Sequence, residues 1–438
     1  MADPELFVIA APNWGRSVTL GVQFKTKIFK SRLGYETRSA LKEFPSVALE
    51  YGVTAARKGS PASRQFFARR LAEDVIFPDL LLKTSATSTG VTTVSGDVDD
   101  HRFAVGERVF IEGELSGHQS GIVQTNDKAE IVLDSSVEMV PGESVKLYPG
   151  LSGRLEGGLK SRMSTSSAAG FNVALKAHND QGRIKDLVTW TPNQWYRDRP
   201  VALWAPNWRD SVSEDWSRDQ FSMDIDYATP FYKAKRKHPE RASNHTTLLR
   251  TPDEAAEIVS FFCFCRGRQK SFYAPTWVDD FLFEMPVTVG QTEIKVFGQD
   301  ALDLYSRGGV FQSIAIRKGS IFHLSGILDF RADGRDSVVT LSDPIPASVA
   351  GADRASWLLR QRFNSDQIEF EYVTDSVSEV EVKMVSVLED YPAIRVDNIE
   401  IVIDGKFITL GSGREVLPSD QGIRSDGFQI SINGDYLT

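Results

Sequence analysis

Polar and apolar residues alternate in short runs along most of this chain, which predicts strands with one buried face. Residues 18–29 and 221–227 read as such strands, and residues 170–176 and 379–385 as later ones. Shorter runs lie at 109–111, 121–124 and 129–133, and again at 314–316, 321–324 and 337–341. Gly, Asp and Asn punctuate them, as in small β-barrels or sandwiches. Asp404-Gly405 and Asn433-Gly434 are hairpin signals and predict an added β element at the C-terminal end. Two segments switch to helical period. Phe67, Leu71 and Val75 share one face of a helix expected over 61–75, and Ile258, Phe261 and Phe262 share one face of a helix starting at Thr251. Thr251 can cap that second helix, Pro252 suits its first turn, and Asp253 and Glu254 complement its dipole.

The pattern occurs twice. Ala11-Pro12-Asn13-Trp14 returns as Ala205-Pro206-Asn207-Trp208, and Ser17-Val18 as Ser211-Val212. In each half a strand, a helix bearing paired phenylalanines, an aromatic-x-Pro break and a set of short strands follow in order. Both halves are then expected to return, through Leu159-Lys160-Ser161-Arg162-Met163 and Leu359-Arg360-Gln361-Arg362-Phe363, to one last strand.

Length and composition narrow the function. At 438 residues, two to four domains are expected. The N-terminus has neither a basic start nor an apolar run, so no secretory signal is expected, and no apolar stretch is long enough for a membrane-spanning helix. A net charge of −9 argues against a general nucleic-acid binder. The dense basic run from Lys233 to Arg241 reads as a solvated loop or subunit contact rather than a phosphate site. Cys263 and Cys265 read as buried apolar thiols. Six scattered histidines lack ligand spacing, His323 reading as a core residue, and no phosphate loop, zinc-protease helix or serine elbow is present. Asp99-Asp100 and Asp279-Asp280 read as turn or cap residues rather than a glycosidase pair. The expectation is a non-enzyme without cofactor or metal.

Tryptophan is the biased residue. Trp190, Trp195, Trp204, Trp208 and Trp216 fall in the junction between the halves, where interface or core anchoring is favoured over sugar stacking. The candidate structural and interface residues are Trp14, Trp208, Phe272, Tyr273, Pro275, Trp277, Trp195 and Trp204.

The stretch Gly267-Arg268-Gln269-Lys270-Ser271-Phe272-Tyr273-Ala274-Pro275-Thr276-Trp277-Val278-Asp279-Asp280 resembles a word found in minor tail proteins of long-tailed, siphovirus-like bacteriophages and prophages. The surrounding element order is similar to that of their distal-tail family. Clear similarity covers residues 251–283. The resemblance implies a platform related to the tail-tube fold, a place in the virion tail after assembly in the bacterial cytoplasm, and partners in the tail tube protein and the baseplate hub or fibre. Genomic DNA would pass the channel without specific binding. Distal-tail proteins carry one platform per chain, whereas two are expected here. That difference suggests a ring of three chains with pseudo-six-fold symmetry, favoured over a hexamer. A receptor- or glycan-binding tail protein is the alternative, and a cell-wall hydrolase is disfavoured by the missing motifs.

The expected fold is therefore mainly β (α+β): a tandem duplicated tail-tube-like β platform with one helix each, each carrying an inserted small β-barrel or sandwich. The expected boundaries are 1–84 with 157–180 for the first platform and 85–156 for its insert. The second platform is 181–285 with 357–392, its insert 286–356, and the C-terminal extension 393–438.

Overall fold

The computed structural model describes residues 18–31, 35–56, 74–79, 84–96, 98, 103–156, 160–165, 168–178, 191–218, 220–225, 228–234, 239–308, 310–374, 376–388, 399–403, 406–410, 430–432 and 435–436. The chain is mainly β. Twelve strands and one helix position everything that follows. The first six strands are β1 (Val18–Gln23), β2 (Ser46–Ala56), β3 (Asp74–Pro78), β4 (Ser144–Leu155), β5 (Lys160–Thr165) and β6 (Ala168–Ala177). The other six are β7 (Ser213–Ser217), β8 (Glu240–Leu249), β9 (Phe272–Pro275), β10 (Arg354–Phe363), β11 (Gln367–Tyr372) and β12 (Ser378–Ser386). The helix α1 (Pro252–Cys265) lies between β8 and β9.

Strand pairing is the same in both sets, and antiparallel throughout. β1 pairs with β2, β2 with β6, β6 with β5, β4 with β3 and β4 with β6. Six strands later, β7 pairs with β8, β8 with β12, β12 with β11, β10 with β9 and β10 with β12. One further pairing, β1 with β11, joins the sets. The result is a continuous sheet in the order β5-β6-β2-β1-β11-β12-β8-β7.

The registers define which residues correspond. Thr19 faces Glu50 as Ser213 faces Asn244, a displacement of 194 at both (213 − 19, 244 − 50). Ser161 faces Phe171 as Phe370 faces Val380, a displacement of 209 at both (370 − 161, 380 − 171). The step between the two displacements corrects the expected return segments. Residues 160–163 correspond to 369–372 on β11, not to 360–363. The strand that returns from the small domain in the first half is β4.

Each half carries a small β domain with its own core. Residues 84–149 enclose Val94, Phe103, Val109, Ile111, Val123, Ile131, Val145 and Leu147. Residues 281–357 enclose Phe281, Phe311, Ile314, Ile316, Val339 and Trp357. One long strand ties each domain to the platform. β4 pairs over 144–149 within its small domain and over 150–155 with β3 and β6. The first platform therefore resumes at Gly150 rather than 157. Phe281 and Phe283 belong to the second small core, which begins before the expected 286. That domain also holds a short helix, Asp300–Ser306, that the pattern did not predict.

α1 forms as its sequence dictates. The Thr251 side chain accepts a hydrogen bond from the Glu254 amide at 3.3 Å, and Glu254 accepts one from the Arg250 amide at 2.7 Å. Ala255, Ile258, Val259, Phe261 and Phe262 bury one face in a core shared with both halves. Arg266 and Gly267 end the helix in left-handed conformation, returning their amides to Cys263 and Phe262. A side chain at Gly267 would meet Asp366 at 2.9 Å and Phe24 at 3.2 Å, so the turn needs glycine twice over.

The first expected helix falls largely on 57–73, outside the described residues, but Val75 sits on strand β3 instead. The strand expected over 18–29 breaks after Gln23: Phe24 enters the core, and Thr26–Lys30 pairs with Glu36–Ala40 as a separate hairpin. The C-terminal strands pair Ile403 with Lys406 and Ile432 with Asp435 across the expected turns, whose own residues lie outside the described ones.

The handover along β4 depends on Gly153, where a Cβ would lie 2.2 Å from the Lys176 carbonyl oxygen and 2.8 Å from the Phe77 ring. Gly153→Ala is expected to cost about 1–3 kcal/mol in urea unfolding, because backbone must move to admit the methyl. Stability equal to wild type would show that the β4–β6 approach is looser than described.

Candidate assembly interface

The two halves meet along β1 and β11, in register from Val18 opposite Tyr372 to Gln23 opposite Gln367. Val18, Leu20 and Val22 are fully buried against Tyr372, Phe370 and Ile368 on the core side. Each such side chain contributes about 1.5–3 kcal/mol on leaving water. Polar contacts lock the end of this pairing. The Phe24 amide donates to the Asp366 carbonyl at 2.8 Å, and the Thr26 amide to the Asp366 carboxylate at 2.8 Å. Arg268 donates to the same carboxylate at 3.0 Å. Arg362 makes a two-pronged, buried pair with Glu36 at 2.7 and 3.0 Å. Lys30 pairs with Glu240.

The opposite face of the sheet is wet and acidic. Glu50, Glu369, Glu371, Glu379 and Glu381 point away from the core, accompanied by Lys176 and Lys383. A shallow groove on this face is lined by Thr19, Glu369, Glu371, Glu379, Glu381 and Lys383. Lys383 sits 2.7 Å from Glu381, and its hydrogen bond holds that carboxyl below its ordinary range.

The tryptophan-rich junction divides between core and surface. Trp204 packs edge-on against Phe261 at 4.8 Å and lies parallel to Phe363 at 6.5 Å, so it closes the platform core together with Phe272. Tyr273, on the other side of β9, meets Tyr196 edge-on at 5.0 Å in a small cluster with Val201, Ala315 and Leu358. Pro275 is buried opposite Leu358. Trp277 is 6% exposed, edge-on to Phe322 at 5.7 Å, in left-handed conformation (φ 66°) that costs a non-glycine residue about 1–3 kcal/mol. Trp195 is 46% exposed and donates to the Pro192 carbonyl, while Trp208 is 58% exposed. Trp14 lies outside the described residues.

The stretch from Gly267 to Asp280 is thus a joint between platform and small domain. The Thr276 amide donates to Trp357, and the Trp357 amide returns a hydrogen bond to Asp280 at 2.8 Å. The Thr276 hydroxyl also donates to Asp280. Burial pushes the Asp280 carboxyl up to about 6, against these hydrogen bonds. Asp279 pairs with Arg354 at 2.9 Å near the surface. Below the joint, buried Arg241 binds Glu214 and the Thr276 carbonyl. Burial, followed by Arg241, holds His245 down at about 4. Burial pushes both cysteine thiols well above their ordinary value. Among the described residues no three His, Cys, Asp or Glu side chains form a metal-binding group, and no helix is long and apolar enough to cross a membrane.

Sequence reasoning missed the β1–β11 joint, Glu36–Arg362, and the strands β5 and β7, each of which has one partner strand among the described residues. The signal was present: aligning the halves with separate displacements before and after the small domain would have matched β5 to β11 and β7 to β1. No protein-family profile matches this chain, and no curated protein matches it either.

Two outcomes follow. Arg362→Met leaves the Glu36 carboxylate buried with Arg38 at 3.9 Å and Lys30 at 4.0 Å, and should cost about 3 kcal/mol in urea unfolding. Adding Glu36→Gln should recover part of that, whereas strict additivity would show that the two groups do not interact. For Asp280, the raised carboxyl contributes stability that is present below about pH 4 and lost as pH rises through 6. Asp280→Asn should therefore gain roughly 2 kcal/mol relative to wild type between pH 4 and 7. A difference that does not change with pH in thermal unfolding would refute the assignment.

Proposed function

We propose that the chain is a structural component of a phage tail tip or baseplate, forming a ring at the distal end of the tail tube that joins the tube to the hub or fibre. The observation that carries this reading is the union of two four-stranded units, identical in their internal pairing, edge to edge through β1 and β11. We take the two units as copies of one module. A contact between unlike edges, repeated at a fixed rotation, closes into a ring. Each chain contributes two positions, so three chains make a pseudo-six-fold ring that can sit between a six-fold tube and a three-fold hub.

The dimensions support this. Three chains supply roughly 24 strands, which at about 4.8 Å spacing and about 40° tilt enclose a circle about 48 Å across. Closed sheets of 16–18 strands already leave an aqueous channel. An acidic lumen wall built from Glu50, Glu369, Glu371, Glu379 and Glu381 would let genomic DNA pass without sticking. On this reading the protein is not an enzyme. Its partners are its own copies, the tail tube protein and the hub or fibre protein, and its place is the virion tail. A receptor- or glycan-binding role draws support from Trp208 and Trp195, whose exposed rings offer stacking faces for sugars.

Native mass spectrometry with negative-stain imaging of the full chain, alone and mixed with tail tubes of the encoding phage, tests the proposal. The expected particle is a three-chain ring with six lobes. Six chains would overturn the trimeric version, and a monomer that fails to cap tubes would overturn the ring. Loss of host adsorption by Trp208→Ala or Trp195→Ala rings of normal mass would favour the receptor reading.

A further inference from the structure

The pairing that joins the two halves leaves its counterpart open. β1 and β11 bind each other, while β7, the equivalent of β1, pairs only with β8, and β5, the equivalent of β11, pairs only with β6 among the described residues. β7 is exposed along its whole length, and Arg162 and Met163 on β5 are exposed as well. Long bare edges of this kind are sites for adding a strand from another chain.

Resting on the ring reading above, we infer that β7 of one chain pairs antiparallel with β5 of the next, in the register that β1 and β11 already use. Thr19 faces Glu371 and Gly21 faces Glu369 inside the chain. Carried over by the two displacements, these pairs become Ser213 opposite Arg162 and Asp215 opposite Lys160. On the other face, Val18 opposite Tyr372 becomes Val212 opposite Met163.

The residues at these places suit one another. The β7 edge carries Glu214 and Asp215, and the β5 edge carries Lys160 and Arg162. Glu214 is already engaged by Arg241, which leaves Asp215 on the wet face to meet Arg162 on the diagonal. Met163 is 51% exposed and sits on the core-facing side, where Val212 of the neighbouring chain would cover it. The internal joint has no such opposition of charge, since β11 presents Glu369 and Glu371 to Gly21 and Thr19. The charged joint therefore distinguishes contacts between chains from the apolar one within a chain, and an acidic edge meeting a basic edge rejects like-with-like pairing.

Cysteine trapping in the full chain tests the register. Residues directly opposite in an antiparallel pair have Cα atoms about 4.5–5.5 Å apart, within disulfide range. The native Cys263 and Cys265 are buried and should not interfere. Ser213→Cys with Arg162→Cys should give covalent multimers ending at three chains under mild oxidation. Ser213→Cys with Ser161→Cys, slipped by one residue onto the opposite face, should stay monomeric on a denaturing gel. In a second arm, Asp215→Lys should weaken assembly about fivefold, and adding Lys160→Asp should restore it. Rings of normal mass in which neither cysteine pair crosslinks would overturn this register and leave the ring proposal standing. No assembly and no crosslinks, with or without tail tubes, would overturn both.

Discussion

The antiparallel pairing of β1 with β11 is the contact on which the rest of the molecule depends. It spans some 350 residues of sequence, so closing that loop costs chain entropy that only a long, apolar, fully hydrogen-bonded contact offsets. Three pairs of buried side chains on one face supply the driving force, and the Asp366 and Glu36–Arg362 contacts fix the register at its end. A slip by one residue would turn Val18, Leu20 and Val22 to the acidic face and expose them. The joint is therefore either made in this register or not made.

From that joint follows a sheet with one dry and one wet face. The dry face holds α1 and the shared core, into which both halves insert side chains, so neither half buries its apolar surface alone. The small domains do not share this core. They hang on β4 and β10, each of which pairs in a small domain at one end and in the platform at the other. A strand that runs unbroken through both bodies sets their relative direction through its own stiffness. Trp277 and Asp280 clamp the same junction in the second half, which is why a turn with a left-handed tryptophan persists there.

The same arrangement explains why the second half tolerates polar groups where the first has apolar ones. Arg241, Ser243 and His245 occupy the places of Val47, Leu49 and Tyr51. Arg241 is held by Glu214 and the Thr276 carbonyl, with its Nη1 left without a hydrogen-bond partner, and burial followed by the nearby guanidinium pushes His245 down to about 4. Removing either partner would leave a buried charge uncompensated, which is strongly destabilising. That ties the β7 edge, through Glu214, to the joint that holds the small domain.

Local signals in the sequence were legible wherever the deciding interaction was local. Thr251, Pro252 and Glu254 cap a helix within four residues of one another, and the alternation in residues 379–385 marks a strand with one buried face. The aromatic stretch at 272–280 carries no local sign of the joint it forms with Trp357. The return segments were misread because the two small domains differ in length, which shifts the correspondence from 194 to 209 part-way along the chain. Val75 was misread because a strand with one buried face and a helix with one apolar stripe share that residue type at that spacing. Sequence alone determined that this chain is mainly β. Only the tertiary structure decided which strand edges are joined, because strand partners are chosen by buried area and hydrogen-bond register between segments hundreds of residues apart, and no local pattern encodes that distance.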